Sequence, residues 1–323
     1  MKPLYIGLAT AIVSCNTMAK PVDWTPGFNG DISLMAAYTR TNSQFDSGNA
    51  TTENLHSSGN DQSHILAAPL GTLAYTLASA KQQFFFGTDR SDVALGRFHT
   101  EVGYRQKLEN NGTVSFSYIP GLLDLKTWQN PYLTGTSREK TGSNVKAFRA
   151  QWENIGDSMY SLDTAYGRYD VDQERSGEGS NIDTHLLDRN AKLFFIEGSH
   201  LLPLSRSQMI RTALNYSNID ADGKAMAADI YGGSASFIQL FPQSSLILTL
   251  SYKKALFDAE NPIFDKKQED DRFGAFLAYE YRQPFNWKNW SIVSLLGYNT
   301  TQSNIHFYDA DTTLVSLGMN YRF

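Results

Sequence analysis

The charged residues of this 323-residue chain are spaced to do chemistry by position rather than by reactivity. Arg97, Glu101 and Arg105 recur every fourth residue; Arg149, Glu280 and Arg322 sit between apolar or aromatic neighbours, and Asp163, Arg211, Arg272 and Arg282 each have one such neighbour. Asp31, Glu197 and Lys253 fall on the same row. At a period of two, alternate side chains share one face of a strand. A Lys or Arg facing lipid at mid-bilayer costs roughly 2–4 kcal/mol. Such a row must therefore line a wet interior or pair within it. Fixed charge on a narrow wall concentrates ions of opposite sign. Positive residues outnumber negative ones in this row, so a weak anion preference is expected. Acidic stretches oppose it: Asp170, Asp172, Glu174 and Glu178 in one, Asp258, Glu260, Glu269, Asp270 and Asp271 in another.

Reactive chemistry has little to stand on. The histidines are His56, His64, His99, His185, His200 and His306, and none is paired in sequence with a Ser and an acid at strand-end spacing. There is no His-Glu-x-x-His, no Gly-x-Ser-x-Gly, no phosphate loop and no pair of cysteines. The expectation is that the protein is not an enzyme. Asn218, Asp220 and Asp222 before Gly223, with Asp229 at the twelfth position, have the oxygen-ligand spacing of a Ca²⁺ loop. Asn stands first, Asp rather than Glu stands last, and no helix flanks the string; an Asx-rich hairpin produces the same letters. The expectation is no cofactor, with Ca²⁺ as the alternative.

The elements that must hold the charged row are strands. In the last nine residues Val315, Leu317, Met319, Tyr321 and Phe323 alternate with Ser316, Gly318, Asn320 and Arg322. A terminal alternating strand closing on an aromatic residue resembles the assembly signal of bacterial outer-membrane β-barrels, which Tyr321 and Phe323 would carry. About fourteen alternating segments can be walked off, from Phe28–Tyr38 to the terminal strand; those at Phe84–Phe86 and around Phe194 are short or blurred, so twelve is the alternative. Asn110-Asn111-Gly112 is a hairpin turn signal. Short gaps alternate with long ones at residues 42–69, 120–144, 170–189, 218–228, 254–271 and 301–312, with one short exception near 88–93. Short turns on one side and long loops on the other are the outer-membrane pattern, which would put both mature termini in the periplasm. Tyr104, Trp152, Tyr160, Tyr252, Tyr281, Trp290, Tyr298 and Tyr321 fall near segment ends, as interfacial girdles would.

At the amino end, Met1-Lys2, an apolar run and Thr17-Met18-Ala19 read as a secretory signal peptide over residues 1–19, leaving a single domain over residues 20–323. The one cysteine, Cys15, sits in a loose lipidation-type box, and cutting after Ala19 removes it. The formal charge of −5 argues against nucleic acid as a partner. The fold class expected is all-β, a transmembrane antiparallel up-and-down barrel in the bacterial outer membrane. It would be monomeric, in contact with lipid, lipopolysaccharide and the barrel-assembly machinery. The function expected is a porin-like channel for small hydrophilic solutes; the alternatives are a closed barrel anchoring surface loops and, less favoured, a lipid- or peptide-hydrolysing barrel.

The strings Ala67-Ala68-Pro69-Leu70-Gly71, Asn130-Pro131-Tyr132-Leu133-Thr134-Gly135-Thr136, Leu187-Asp188-Arg189-Asn190-Ala191 and Asp220-Ala221-Asp222-Gly223-Lys224-Ala225 resemble those of an uncharacterised family of gammaproteobacterial, often vibrio-type, predicted outer-membrane β-barrel proteins. The resemblance spans nearly the whole mature chain. It implies location and fold and transfers no functional residue.

Overall fold

The computed structural model describes residues 24–122 and 125–323. The expected signal peptide, residues 1–19, and Cys15 lie outside the described residues. Among the described residues, fifteen strands form one antiparallel sheet. They are β1 (Gly27–Thr41), β2 (Gln62–Thr76), β3 (Gln82–Gly87), β4 (Glu101–Lys107), β5 (Thr113–Ile119), β6 (Leu125–Trp128), β7 (Lys140–Glu153), β8 (Tyr160–Val171), β9 (Ala191–Pro203), β10 (Gln208–Ala221), β11 (Ala228–Leu240), β12 (Ser244–Asn261), β13 (Lys266–Arg282), β14 (Trp290–Ser303) and β15 (Ala310–Arg322). Except for β5 and β6, each pairs with its neighbour in sequence; β5 pairs with β7, and β1 pairs with β15 from Asp31↔Arg322 to Thr41↔Thr312. The result is a closed up-and-down barrel of fourteen strands. β6 is a short piece that lies on the far end of β7, in the β5–β7 link. The segments at Phe84–Phe86 and Phe194 are both strands of the wall, so the twelve-strand alternative falls.

The alternation reads directly onto the two faces. On β1, Phe28, Ile32, Leu34 and Tyr38 are exposed outward while Asp31, Ser33 and Met35 are buried inward. Outward Ile65, Phe148 and Leu214 are 85%, 69% and 77% exposed. Such residues recur right around the barrel, an apolar band far larger than the few-hundred-Å² patches of soluble monomers. It is the surface of a barrel that spans a membrane. No described helix is long and apolar enough to cross one, which says nothing of crossing by strands.

The links do not all follow the sequence reading. Residues 254–271 are expected as a loop, but β12 and β13 continue through them to a tight turn at 262–265. The apolar alternation persists there, with Ala255 and Phe257 buried inward. β12 runs for 18 residues, against the roughly 9–11 that span a bilayer. The same holds at 218–228, where β10 reaches Ala221 and β11 restarts at Ala228. The strands thus project beyond the apolar band at the long-link end.

Candidate functional site

The inner face is where the sequence put its charged row. Glu101, Arg105, Arg149, Asp163, Arg211, Arg272, Glu280, Arg282 and Arg322 all stand at inward positions of their strands. Arg97 also faces the lumen, but from the β3–β4 link rather than from a strand, because β4 begins only at Glu101. Phe98, which alternation with Val102 and Tyr104 in the sequence would put outward, is on the same link and packs edge-on to inward Phe276 at 6.2 Å.

That link, residues 88–100, crosses the lumen. Two glycines let it leave the wall. Gly71 (φ +139°) bends β2, and Gly87 (φ +137°) ends β3 so close that a Cβ there would lie 2.0 Å from the Gly71 carbonyl oxygen. Thr88 N donates to that same carbonyl at 2.8 Å. The chain then turns inward into a short helix, α1 (Arg90–Ala94), whose first turn is capped by Asp89 accepting from Ser91 N at 2.8 Å. Arg90 reaches across to Glu280 of β13 (2.6 Å) and Asn320 of β15 (3.2 Å). Arg97 reaches the other way and donates to Glu197 of β9. Between them Asp92, buried, accepts from Arg149 of β7 at 2.6 Å.

Arg149 is the hub. Its guanidinium holds Asp92 on one side and Asp163 on the other, the latter at 2.7 Å and 3.0 Å. It also lies 3.1 Å from His99 Nε2 and 3.6 Å from Glu101. Asp92, His99 and Glu101 are the one group among the described residues with metal-ligand geometry. The guanidinium already occupies the cation position there, so the cluster reads as an ion-pair network.

The other arginines are likewise engaged. Arg211 pairs with Glu197 (2.7 Å), Arg322 with Glu280 (3.1 Å) and Arg272 with Asp270 (2.9 Å). Arg282 donates to the β11–β12 turn carbonyls of Phe241 and Pro242 and to Ser244. Asp89 and Asp92 on the link, Glu153 on β7 and Asp270 on β13 add negative charge that the sequence reading left out of the lumen. The excess of positive charge expected on the wall is therefore largely cancelled.

Part of the inner face is apolar. Met35, Met209, Ile238, Ile247, Ala278 and Leu295 form a buried cluster with Ala94 of α1, and Val93 packs against it. The sequence signal was present in the adjacent apolar pairs Met209-Ile210, Phe237-Ile238, Ile247-Leu248 and Leu295-Leu296. Apolar residues on both faces mark places where the inward row is covered as well.

The long-link end is closed by a cap. Tyr132, Leu187, Ala225, Ile305 and Phe307 form a second buried cluster, flanked by Phe45, Ile263, Phe264 and Tyr308. Tyr132, on the β5–β7 link, packs on Phe307 (5.4 Å) and Phe264 (6.0 Å) from nearly the opposite side of the barrel. Its hydroxyl meets that of Tyr308 at 2.7 Å, and Asn261 Nδ2 donates to Tyr308 at 2.8 Å. Burial raises the pKa of both phenols. Arg138 lies over the fully buried Trp128 ring at 4.6 Å and donates to the carbonyls of Asn49 and Pro131; burial pushes its guanidinium down to about 10. Arg189 ties in Glu174 (2.6 Å) and the Trp128 carbonyl (2.6 Å).

Below the link, toward the short-turn end, lies a cavity of about 640 Å³. Arg90, Arg97, Arg105, Arg149, Arg211 and Arg322 reach it, as do Leu201, Ile238 and Ile247. A smaller space of about 50 Å³ separates the link from β1, β13 and β14.

The residues of the calcium alternative are held by contacts among themselves and with their neighbours. Asn218 and Asp229 are cross-strand partners on β10 and β11, and Asp229 accepts from Asn218 Nδ2 (2.9 Å) and Tyr216 Oη (2.7 Å). Asp220 faces Lys224 at 3.5 Å. The four residues form no ligand cluster, because the string is two paired strand ends rather than one loop. Tyr321 and Phe323 sit at the seam, with their rings stacked at 6.4 Å.

The class is thus a membrane-spanning fourteen-strand barrel with an ion-paired link across its lumen and a packed cap over one mouth. The chain belongs to the family described as "Protein of unknown function (DUF2860)", whose model matches residues 27–322. A search of curated proteins gave no match. Among solved structures it is similar to OmpT, an outer membrane protein of Vibrio cholerae (11% identity, 92% of this chain and 96% of that one, TM-score 0.43). It is also similar to the outer membrane channel DcaP of Acinetobacter baumannii (10%, 92% and 98%, 0.44) and to a Pseudomonas aeruginosa FadL homologue (10%, 91% and 90%, 0.45). Likeness at this level carries no argument about activity.

Proposed function

We propose that the protein is an outer-membrane channel for small solutes, held shut in this conformation by the link and the cap. The observation that carries this reading is the lumen itself. Fourteen strands exceed the eight whose interior side chains fill, and a 640 Å³ cavity with six arginines around it remains beneath the link. A merely structural barrel has no need of a wet, charged compartment of that size. The long-link end with its cap faces outside and the short-turn end faces the periplasm, both termini included. The barrel works as a monomer, inserted by the assembly machinery and surrounded by lipid and lipopolysaccharide, without a cofactor, catalysis or a nucleic-acid partner.

Passage requires the cap to part and the link to swing off β13 and β9. The channel is therefore gated rather than permanently open, which refines the porin-like expectation. Single-channel recording in planar bilayers tests it: discrete, infrequent openings are expected. A silent barrel favours the second reading, a surface anchor whose cap binds a partner. The observation behind that rival is the shared aromatic core of the cap, which presents the outer links as one folded surface.

A further inference from the structure

Arg105 differs from the other arginines around the 640 Å³ cavity. Arg90, Arg97, Arg149, Arg211 and Arg322 each donate a hydrogen bond to a carboxylate. Among the described residues the one ion pair of Arg105 is with Asp89, Nη1 standing 3.5 Å from the carboxylate oxygen, beyond a good hydrogen bond; Glu153 lines the same cavity. Its Nε is buried and has no partner. Phe85 of neighbouring β3 backs its guanidinium at 4.4 Å and holds its plane. A buried donor left unmade is costly, and a guanidinium fork matches a carboxylate. This fork is thus held flat, short of acceptors and in contact with the cavity.

The wall facing it is of the opposite kind. β4, which carries Arg105, and β12, which carries Ile247, have six strands between them in either direction. Both residues lie toward the short-turn ends of their strands, as do Ile238 of β11 and Leu201 of β9. All four line the cavity, Ile238 and Ile247 at the edge of the cluster that Ala94 covers, with only 1% of their surface exposed in this conformation. A pocket of roughly 300–1,000 Å³ has the size that takes a small organic molecule. We infer that the cavity is a binding compartment for a small amphipathic carboxylate, its anionic head on Arg105 and its apolar body against Leu201, Ile238 and Ile247. This deepens the channel reading and rests on it for access of the solute, though not for binding.

The test is calorimetry of the full barrel in detergent, titrated with 2-naphthoate and with neutral naphthalene-2-carboxamide, each corrected for partition into empty micelles. Saturable binding of the carboxylate is expected, with the amide at least tenfold weaker. Arg105→Gln should weaken the carboxylate at least tenfold and leave the amide unchanged, while Arg282→Gln, at the turn, should leave both unchanged. Ile247→Ser should weaken both probes several-fold, and it decides the matter if Arg105→Gln does not fold. Equal binding of the two probes, wild-type binding by both Arg105→Gln and Ile247→Ser, or no heat above the micelle blank overturns the site. Binding by a barrel that never conducts would keep the site and remove the channel; conductance without binding would do the reverse.

Discussion

Arg149 Nη1 donates to Asp92 Oδ2 at 2.6 Å, and through this contact a strand of the wall holds the link that crosses the lumen. The same guanidinium carries Asp163, and Glu101 stands 3.6 Å away, so three carboxylates gather on one cation, with Arg97 as a second, longer partner of Asp163 at 3.5 Å. Arg149→Gln should leave them facing one another and cost about 3–5 kcal/mol, as expected when a buried pair loses one member. It should also raise the frequency of channel opening. Adding Asp92→Asn should restore part of the stability, because one uncompensated charge goes with it. Urea unfolding of both variants checks this; additive losses would show that the two residues are not coupled.

Phe307 is fully buried at the centre of the cap, within 6.0 Å of the rings of Phe45, Tyr132, Phe264 and Tyr308. Phe307→Ala should remove about 3–5 kcal/mol of local packing. The cap would then open without the wall unfolding. Trypsin added to embedded barrel should cut at Arg138 and Arg189, both buried in the cap, at least tenfold faster than in wild type.

How much of this the sequence disclosed depended on whether periodicity carried the information. The outward row of β1, and Arg149 and Asp163 on their inward rows, followed from alternation alone, because a strand has only two faces. The link did not. Arg90, Asp92 and Arg97 lie in a segment without periodicity, and its direction is set by Gly71 and Gly87, whose effect shows only once β2 and β3 are paired. Extending the strand pattern back to Phe98 put that residue outside when it lies within. The cap was hidden for another reason: Tyr132, Phe264 and Phe307 are isolated aromatics in three different links, and nothing local says that they meet. The Asn218–Asp229 string showed its oxygen spacing but not the pairing of the strands that carry it.

The lumen charges make a selectivity prediction that departs from the weak anion preference expected at first. With Asp89, Asp92, Glu153 and Asp270 added to the wall, the fixed charges nearly balance. The reversal potential of the open state in a KCl gradient should lie near zero. Strong anion selectivity would mean that the acids do not face the conducting path.

Closure of the barrel rests partly on Phe323. Its N–H donates to the Gly30 carbonyl and its carbonyl accepts from Gly30 N, both at 3.1 Å, across the β1–β15 seam. Deleting Phe323 removes both bonds and the ring stacked on Tyr321. The yield of heat-modifiable, membrane-embedded barrel should fall several-fold. An unchanged yield would place the closing contacts elsewhere on the seam.

The most direct test of a gated channel is to lock the link. A Cβ built on Gly96 would lie 3.2 Å from Cγ of Phe276, which brings the two β-carbons into the range of roughly 3.5–4.5 Å that a disulfide needs. Gly96 has φ +78°, so a side chain there carries some strain, but the bond requires no movement of the wall. The measurement is single-channel current from Gly96→Cys with Phe276→Cys, oxidised and then reduced in the same bilayer. No openings when oxidised, with openings returning on reduction, is the predicted result. Openings of equal frequency and size in both states would contradict the gate.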